Sequence, residues 1–432
     1  MEEKPHPRPV PEHVLNRQIA ILEEILSEIE RLVLEEGRPA DRILNRFLRI
    51  RRELGARDRR FLSQAVFSYF RWRGWTRRRM ELPLPAACLI GVALDATHVD
   101  PVFRLLEKRC DLPFPAEPLA NAPLAEKARI LTERFALDVP LSTTDLVPPE
   151  FEGLTNPDFL EPCINAFQCR PPTWIRARSN PQSLLEALAE RDVEAKVHER
   201  LSNALSLSGG LNLNVALADH RAAFVVQDVA SQCVALVCSP KPNDEWWDVC
   251  AGAGGKSIHL ADLMGPAGKV LATDVRIDPL KELKRRARKL GIRTLRSQPH
   301  NAVRDEPFRK TFDGVLVDAP CSGWGTWSRN PDARWRTSKR EVVQCATRQL
   351  RMLENAIWCV KPGGTLVYAV CTLTRPETDE VVANFLDRHP GFALDPFSSP
   401  LDATPTDGTL RIRPWQGPGD AMFVARFLRH PD

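Results

Sequence analysis

Apolar positions recur at intervals of three and four from Leu15 through Ile19, Leu22, Leu26, Ile29 and Val33, the period of an amphipathic helix. Gly37-Arg38-Pro39 stops it, because glycine accepts the left-handed turn and proline cannot continue the ladder. Further helical patterns cover Arg42 to Leu54 and Arg57 to Trp72. Later the period shortens. Thr173-Trp174-Ile175-Arg176-Ala177-Arg178 alternates as a strand does, Ser179-Asn180-Pro181 opens a helix over Leu184 to Arg191, and Asp192 to Val197 reads as the next strand. From Glu245 onward short apolar strands take turns with helices: Glu245 to Val249, Lys269 to Asp274, Val315 to Val317 and Thr365 to Val367.

A chain of 432 residues is too long for one domain. The pattern predicts a multidomain α and α/β protein: a proline-rich disordered tail at 1–12, a helical domain at 13–140, and a linker at 141–157 rich in proline, threonine and acid. A small α/β domain at 158–225 and a Rossmann-like α/β domain at 226–432 complete it. Hydrophobic residues make up 43 %, ample for a sizeable core. There is no apolar run of membrane-spanning length, and Met1-Glu2-Glu3-Lys4 opens no signal peptide. The eleven cysteines are scattered without Cys-x-x-Cys pairs, which argues against a disulfide framework and against zinc. A reduced, cytoplasmic protein without a metal is expected, and nothing requires more than a monomer.

The net charge of +4 does not by itself point to nucleic acid, but its distribution does. Arg46, Arg49, Arg51, Arg52, Arg57, Arg59 and Arg60, then Arg71, Arg73, Arg77, Arg78 and Arg79, crowd the predicted helices with few acids between them. A charge run is most often a solvated face; the local excess of arginine over acid favours an RNA-binding surface.

The candidate chemistry sits where strands end. Asp318-Ala319-Pro320-Cys321-Ser322-Gly323 follows one apolar run, and Tyr368-Ala369-Val370-Cys371-Thr372 closes another. Residues at the carboxyl ends of neighbouring strands in an open α/β sheet converge on one crevice. A lone cysteine is usually core; two thiols and a carboxylate in that place suggest covalent chemistry. Upstream, Cys250-Ala251-Gly252-Ala253-Gly254-Gly255-Lys256 joins a strand to a helix. Such a turn brings backbone N–H groups to a ligand. A P-loop would need glycine where Cys250 stands. Asp274 ends the next strand about twenty residues on, placed to accept from ribose hydroxyls. Loop and acid together leave a dinucleotide and S-adenosylmethionine (SAM) both open, and the cysteines decide for SAM.

These segments resemble the bacterial RNA cytosine-C5 methyltransferases, relatives of the eukaryotic Nop2/Sun proteins. The resemblance rests on Gln227-Asp228-x-Ala230-Ser231, the 250–256 loop, Asp274, the 318–323 motif and Pro331-Asp332-x-Arg334-Trp335. It continues through Tyr368 to Thr372, Pro376-Glu377-x-Asp379-Glu380 and Asp420 to Ala425, about the last 200 residues. The N-terminal half fits the Fmu type, whose members act on small-subunit rRNA, with a NusB-like helical domain and a small RNA-recognition-like insert. The resemblance implies that Cys371 attacks carbon 6 of cytosine, making carbon 5 nucleophilic enough to take the methyl group. It makes Cys321 the helper in breakdown of the adduct and Asp318 the group that holds the cytosine edge. SAM is then expected against Cys250, Ala251, Gly252, Ala253, Gly254, Gly255, Lys256, Asp274, Asn301 and Asp318. DNA cytosine methyltransferases carry one Pro-Cys in the place of Cys321, so the second cysteine speaks for RNA. A tRNA enzyme and a non-catalytic RNA-binding assembly factor stay open as alternatives.

Three departures from the family pattern stand out. Asn301 replaces an acid near the adenine, and Gly252-Ala253 replaces Ala-Pro in the loop. Trp324 and Trp327 follow Cys321 where smaller or basic residues are usual; stacking on a base and packing on the sheet are equal readings.

Overall fold

The computed structural model describes residues 11–95, 101–110, 112, 119–208, 213–417 and 419–431. The first helices are α1 (Glu12–Glu36), α2 (Ala40–Ile50), α3 (Ala56–Arg73), α4 (Leu84–Asp95), α5 (Pro101–Cys110), α6 (Leu124–Arg134) and α7 (Pro157–Phe167). Then come β1 (Thr173–Ala177), α8 (Gln182–Ala189), β2 (Ala195–Val197), β3 (Ala204–Leu207), α9 (Leu213–Ala216) and β4 (Phe224–Val226). The next stretch holds α10 (Val229–Cys238), β5 (Glu245–Asp248), α11 (Gly255–Met264), β6 (Lys269–Asp274), α12 (Ile277–Lys289), β7 (Leu295–Pro299) and β8 (Phe312–Asp318). Last are α13 (Ala333–Arg336), α14 (Lys339–Ala356), β9 (Val360–Val370), α15 (Asp379–Arg388), β10 (Phe392–Leu394), β11 (Thr409–Ile412) and β12 (Met422–Arg429). Among the described residues no helix is long and apolar enough to cross a membrane.

The chain divides into two compact units, Met1–Arg170 with Trp327–Ser338, and Pro171–Thr326 with Lys339–Asp432. The expected tail lies mostly outside the described residues, although Glu12 is already helical.

In the first unit α1 buries Leu15, Ile19, Leu22, Leu26, Ile29 and Val33, the stripe that the spacing predicted. The expected linker is corrected here. Leu146 and Phe151 are 0 % and 1 % exposed, in two short 3-10 turns. Proline there shapes tight turns over the core rather than a loose connection. The unit also takes in α7 and, from far along the chain, Trp327–Ser338, so neither 158–170 nor 327–338 belongs where the sequence reading put it. Arg334, on that late segment, has no exposed surface. Its guanidinium donates to the carbonyls of Leu146 (3.1 Å), Phe167 (3.3 Å) and Trp327 (3.4 Å). Trp335 Nε1 donates to Phe70 O at 2.7 Å, and Asp332 Oδ2 accepts from Ala40 N at 3.1 Å.

The arginine-rich helices turn out to be mixed. Arg59 ties Leu48, Arg51 and Leu54 carbonyls together, Arg71 pairs with Asp95, and Arg73 and Arg77 face Glu30. Arg46 and Arg49 stand exposed on α2 opposite buried Ile43, Leu44 and Leu48.

The second unit holds two sheets. The smaller follows a β-α-β-β-α-β order, with antiparallel strands arranged β2-β3-β1-β4. One face, with Ile175, Ala177, Leu205 and Leu207, packs on α8. The other carries Trp174 and Ala204 against Val229 of α10. Arg176 and Arg178 are both engaged within the unit by Asp262. Arg176 is 4 % exposed and reaches Gln227 at 3.0 Å and Asp262 of α11 at 2.7 Å. Arg178 grips the same carboxylate at 2.7 Å and the carbonyls of Ala222 and Leu290. Cutting a buried pair strands a charge, so Asp262→Ala is expected to cost about 3 kcal/mol in urea unfolding. A loss within 0.5 kcal/mol, on the order of an ordinary surface change, would contradict this.

The larger sheet runs β10-β12-β9-β8-β5-β6-β7. Strands β5 to β9 are parallel, while β12 inserts antiparallel beside β9. The order reverses between β5 and β8, which opens a crevice above their carboxyl ends.

Candidate active site

β5 ends in Asp248, and the loop after it turns back so that Ala251 N donates to Thr273 O at 2.7 Å. Gly254 adopts φ +84°, and a Cβ there would lie 2.6 Å from Leu283, so only glycine starts α11 at this point. Ser257 Oγ donates to Asp248 at 2.5 Å, fastening the helix start to the strand end. Burial pushes the Asp248 carboxyl up from 3.8 to about 7; the Ser257 bond offsets part of this and Asp318 adds to it. The native state therefore holds a proton between pH ~4 and ~7 that the unfolded chain has released, and stability from this group falls as pH rises through that window. Relative to Asp248→Asn, the protein is expected to lose on the order of 2–4 kcal/mol from pH 4 to pH 7 in paired urea titrations. Parallel pH profiles would refute the shift.

Asp274 closes β6 and accepts from Gly252 N at 3.0 Å and from Arg276 Nε and Nη2, both at 3.0 Å. Burial works against the charged form, but Arg276 and the two backbone N–H donors outweigh it and lower the pKa. Asn301 follows β7, its Oδ1 accepting from Val303 N at 3.1 Å.

The thiols meet because of register. Asp318 pairs with Ala369 across β8 and β9, so the residues just beyond each strand end are neighbours. Cys321 Sγ and Cys371 Sγ lie 3.2 Å apart, both as free thiols. The bond to Cys371 and then burial hold the Cys321 thiol well above its ordinary pKa. Lys256 Nζ donates to Asp318 Oδ2 at 2.7 Å. Burial alone would depress the ammonium, but Asp318 more than compensates and raises it. Cys250, the third cysteine in the cavity, is pushed well up by burial and by Asp248 and Asp318.

Beneath the thiols lies a buried polar net. Glu377, with no exposed surface, accepts from Ser322 N at 2.8 Å, Ser322 Oγ at 2.6 Å, Thr374 Oγ1 at 2.8 Å and Gln349 Nε2 at 3.0 Å. Gln349 Nε2 also donates to Pro320 O at 3.0 Å, and Tyr368 OH lies 2.9 Å from Gln349 Oε1. Glu377 thus ties the loop of Cys321 to the loop of Cys371. Gly325 N donates to Cys371 O at 2.9 Å, and a Cβ on Gly325 would meet Ala421 O at 2.3 Å.

These elements enclose a cavity of about 1060 Å³. Its wall includes Cys250, Ala251, Gly252, Gly255, Lys256, Asp274, Asn301, Asp318, Cys321 and Cys371. Ala253 and Gly254 are not on it. Trp324 and Trp327 are 1 % and 0 % exposed, so both are packed. Sequence reasoning missed Arg348 and Met352 of α14, which line the cavity one turn apart. Their only signal was a helical spacing shared with any amphipathic helix.

A parallel sheet reversing at β5, a glycine turn at its end, an acid at the end of β6 and two thiols meeting beyond β8 and β9 together make up the site of a SAM-dependent methyltransferase. The model of the family described as 16S rRNA methyltransferase RsmB/F matches residues 235–428. A probable ribosomal RNA small subunit methyltransferase B of Synechocystis is 31 % identical over 69 % of this chain and 69 % of its own length. One of Bacillus subtilis is 33 % identical over 57 % of each. The chain belongs to the RsmB/F family of rRNA methyltransferases. In fold it is similar to the crystal structure of PH0851, at 24 % identity and a TM-score of 0.74, covering 97 % of this chain and 99 % of that one.

Proposed function

We propose that the chain methylates carbon 5 of a cytosine in small-subunit rRNA, with Cys371 as the nucleophile that adds to carbon 6. The observation that carries this is the pair of free thiols 3.2 Å apart beside a Lys256–Asp318 ion pair, all on one cavity wall.

The residues present fit SAM: the glycine turn leaves backbone close to the cavity, and Asp274 is held ionised at the end of β6. When bound, SAM supplies an electrophilic methyl group. Gly252, Gly255, Asp274 and Asn301 would hold it, with Cys250, Ala251 and Lys256 completing the wall and Ala253 and Gly254 shaping the turn. Asp318, oriented by Lys256, accepts from the cytosine edge and favours protonation at N3 as the thiolate adds, so negative charge does not build on the ring. As the adduct breaks, the carbon-5 proton leaves to water and the C6–S bond electrons return to sulfur; Cys321, held protonated and within hydrogen-bond reach of Cys371, stabilises the departing thiolate. The target base must be unpaired or flipped out to enter.

The same reading takes the first unit as NusB-like and the β2-β3-β1-β4 unit as RNA-recognition-like, supported by its β-α-β-β-α-β order. Exposed Arg46 and Arg49 support RNA contact by the helices. It takes the chain to work as a cytoplasmic monomer.

The test is transfer from methyl-labelled SAM to purified small-subunit rRNA, tRNA and duplex DNA, followed by nucleoside analysis. Label recovered as 5-methylcytosine in the rRNA alone is expected. Label in tRNA, or in another nucleoside, would overturn the substrate assignment; RNA binding without transfer would favour an assembly factor.

A further inference from the structure

The second unit has a smaller cleft of about 360 Å³, set between β4 of the small sheet and α12. Arg221, Arg285, Arg286 and Lys289 line it, against a single carboxylate, Glu282. It lies in the most basic stretch of the chain, where nine lysines and arginines between Arg276 and Arg296 face two acids. Glu282 is engaged by Arg285 at 2.6 Å, and Lys289 is exposed with no ion pair among the described residues. Arg286 Nη1 donates to Ala253 O at 2.7 Å, so the cleft wall is bonded to the loop that turns below the large cavity. Val226, 55 % exposed, lines both cavities. The two cavities therefore share a rim at this residue.

One surface is already closed to RNA. Proteins of the RNA-recognition type stack bases on the open sheet face, and here that face carries Trp174 packed on Val229 and Arg176 paired with Asp262. The edge of the sheet at β4 is what remains next to the active site.

We propose that this cleft holds the single-stranded RNA backbone flanking the target cytosine, with Arg285 and Lys289 as phosphate ligands beside Arg286. The assignment rests on the methyltransferase reading above and locates a subsite for its substrate. Arg285 exchanges Glu282 for a phosphate or shares it; Lys289 meets the next phosphate as a point charge. Neither touches the SAM cavity.

The experiment compares the full-length protein with Lys289→Ala and with Arg285→Glu/Lys289→Glu, using small-subunit rRNA as the probe. Removing one phosphate-binding cation lowers the slope of log affinity against log salt by about 0.7 on single strands. The double variant should therefore show a slope shallower by about 1.4 and raise KM for rRNA about tenfold, with roughly half the slope change in Lys289→Ala. SAM affinity by calorimetry reports that the fold is intact. In the wild type, photocrosslinking to rRNA containing 4-thiouridine should label peptides from 221–226 and 281–289. An unchanged salt slope and KM in variants that still bind SAM, while the wild type methylates rRNA, overturns the cleft and leaves the enzymatic reading standing. A wild type that neither binds nor methylates any RNA overturns both.

Discussion

A Cys321→Ala variant incubated with SAM and small-subunit rRNA is expected to accumulate a protein–RNA species that survives denaturant, and a further Cys371→Ala change abolishes it. With Cys371 gone, transfer should fall by about 10⁴-fold or more, the scale at which an enzyme loses its nucleophile. The two thiols differ in what surrounds them. Cys321 is held well above its ordinary pKa by its bond to Cys371 and by burial, and so stays a proton carrier. Cys371 directly follows β9, with its carbonyl accepting from Gly325 N, so its sulfur is presented from a rigid strand end. On the proposed mechanism, removing Cys321 takes away a thiol 3.2 Å from Cys371 and should slow departure of the Cys371 thiolate while leaving the attack intact. The readout is a labelled band on a denaturing gel. Adduct from the wild type equal to that from Cys321→Ala would remove the helper role; full transfer by Cys371→Ala would remove the mechanism.

The second large effect concerns stability. Arg334→Met should cost about 3–5 kcal/mol, because a fully desolvated guanidinium is removed while the carbonyls it served stay buried. Methionine restores much of the volume but donates nothing to Leu146, Phe167 or Trp327. Burial pushes the Arg334 pKa down to about 9, so it remains charged at neutral pH. Its positive charge also lies 5.8 Å from the Trp327 ring and 5.9 Å from the Phe167 ring, interactions the thioether cannot reproduce. Hydrogen exchange reads the effect locally: amides of α3 and α7 should lose protection about 10²-fold or more, while those of β5 to β9 keep theirs. Equal loss in both units would mean global destabilisation, and no loss would mean that the carbonyls find other donors.

Much of the catalytic unit was legible because strand ends and glycine turns are local signals. An apolar run followed by Asp318 or Cys371 places a side chain above the sheet whatever the rest of the chain does. Pairings across the fold left no such trace. Nothing near Arg176 indicates that Asp262 on α11 will neutralise it. The Lys256–Asp318 pair and the Glu377 net join residues on separate elements, and each alone looks like a surface charge. Arginine density suggested one uniform RNA-binding face, yet Arg59 and Arg71 serve carbonyls and an acid inside the first unit. Proline and threonine between 141 and 157 imitated a linker because composition cannot say whether leucines between them find a core. The motif around Arg334 was recognised as a resemblance, but its address in another unit is a tertiary fact.

That address has a temporal side. Met1–Arg170 emerges from the ribosome first, yet its unit lacks Trp327–Ser338 until the chain has grown past residue 338. At ordinary elongation speeds of about 5–20 residues per second, the delay is roughly 10–30 s. During that interval the carbonyls of Leu146 and Phe167 and the ring of Phe167 await a partner that has not been made. Vectorial synthesis therefore cannot finish the first-born part first. The nascent helices must wait, incomplete, for a segment encoded a few codons after Cys321.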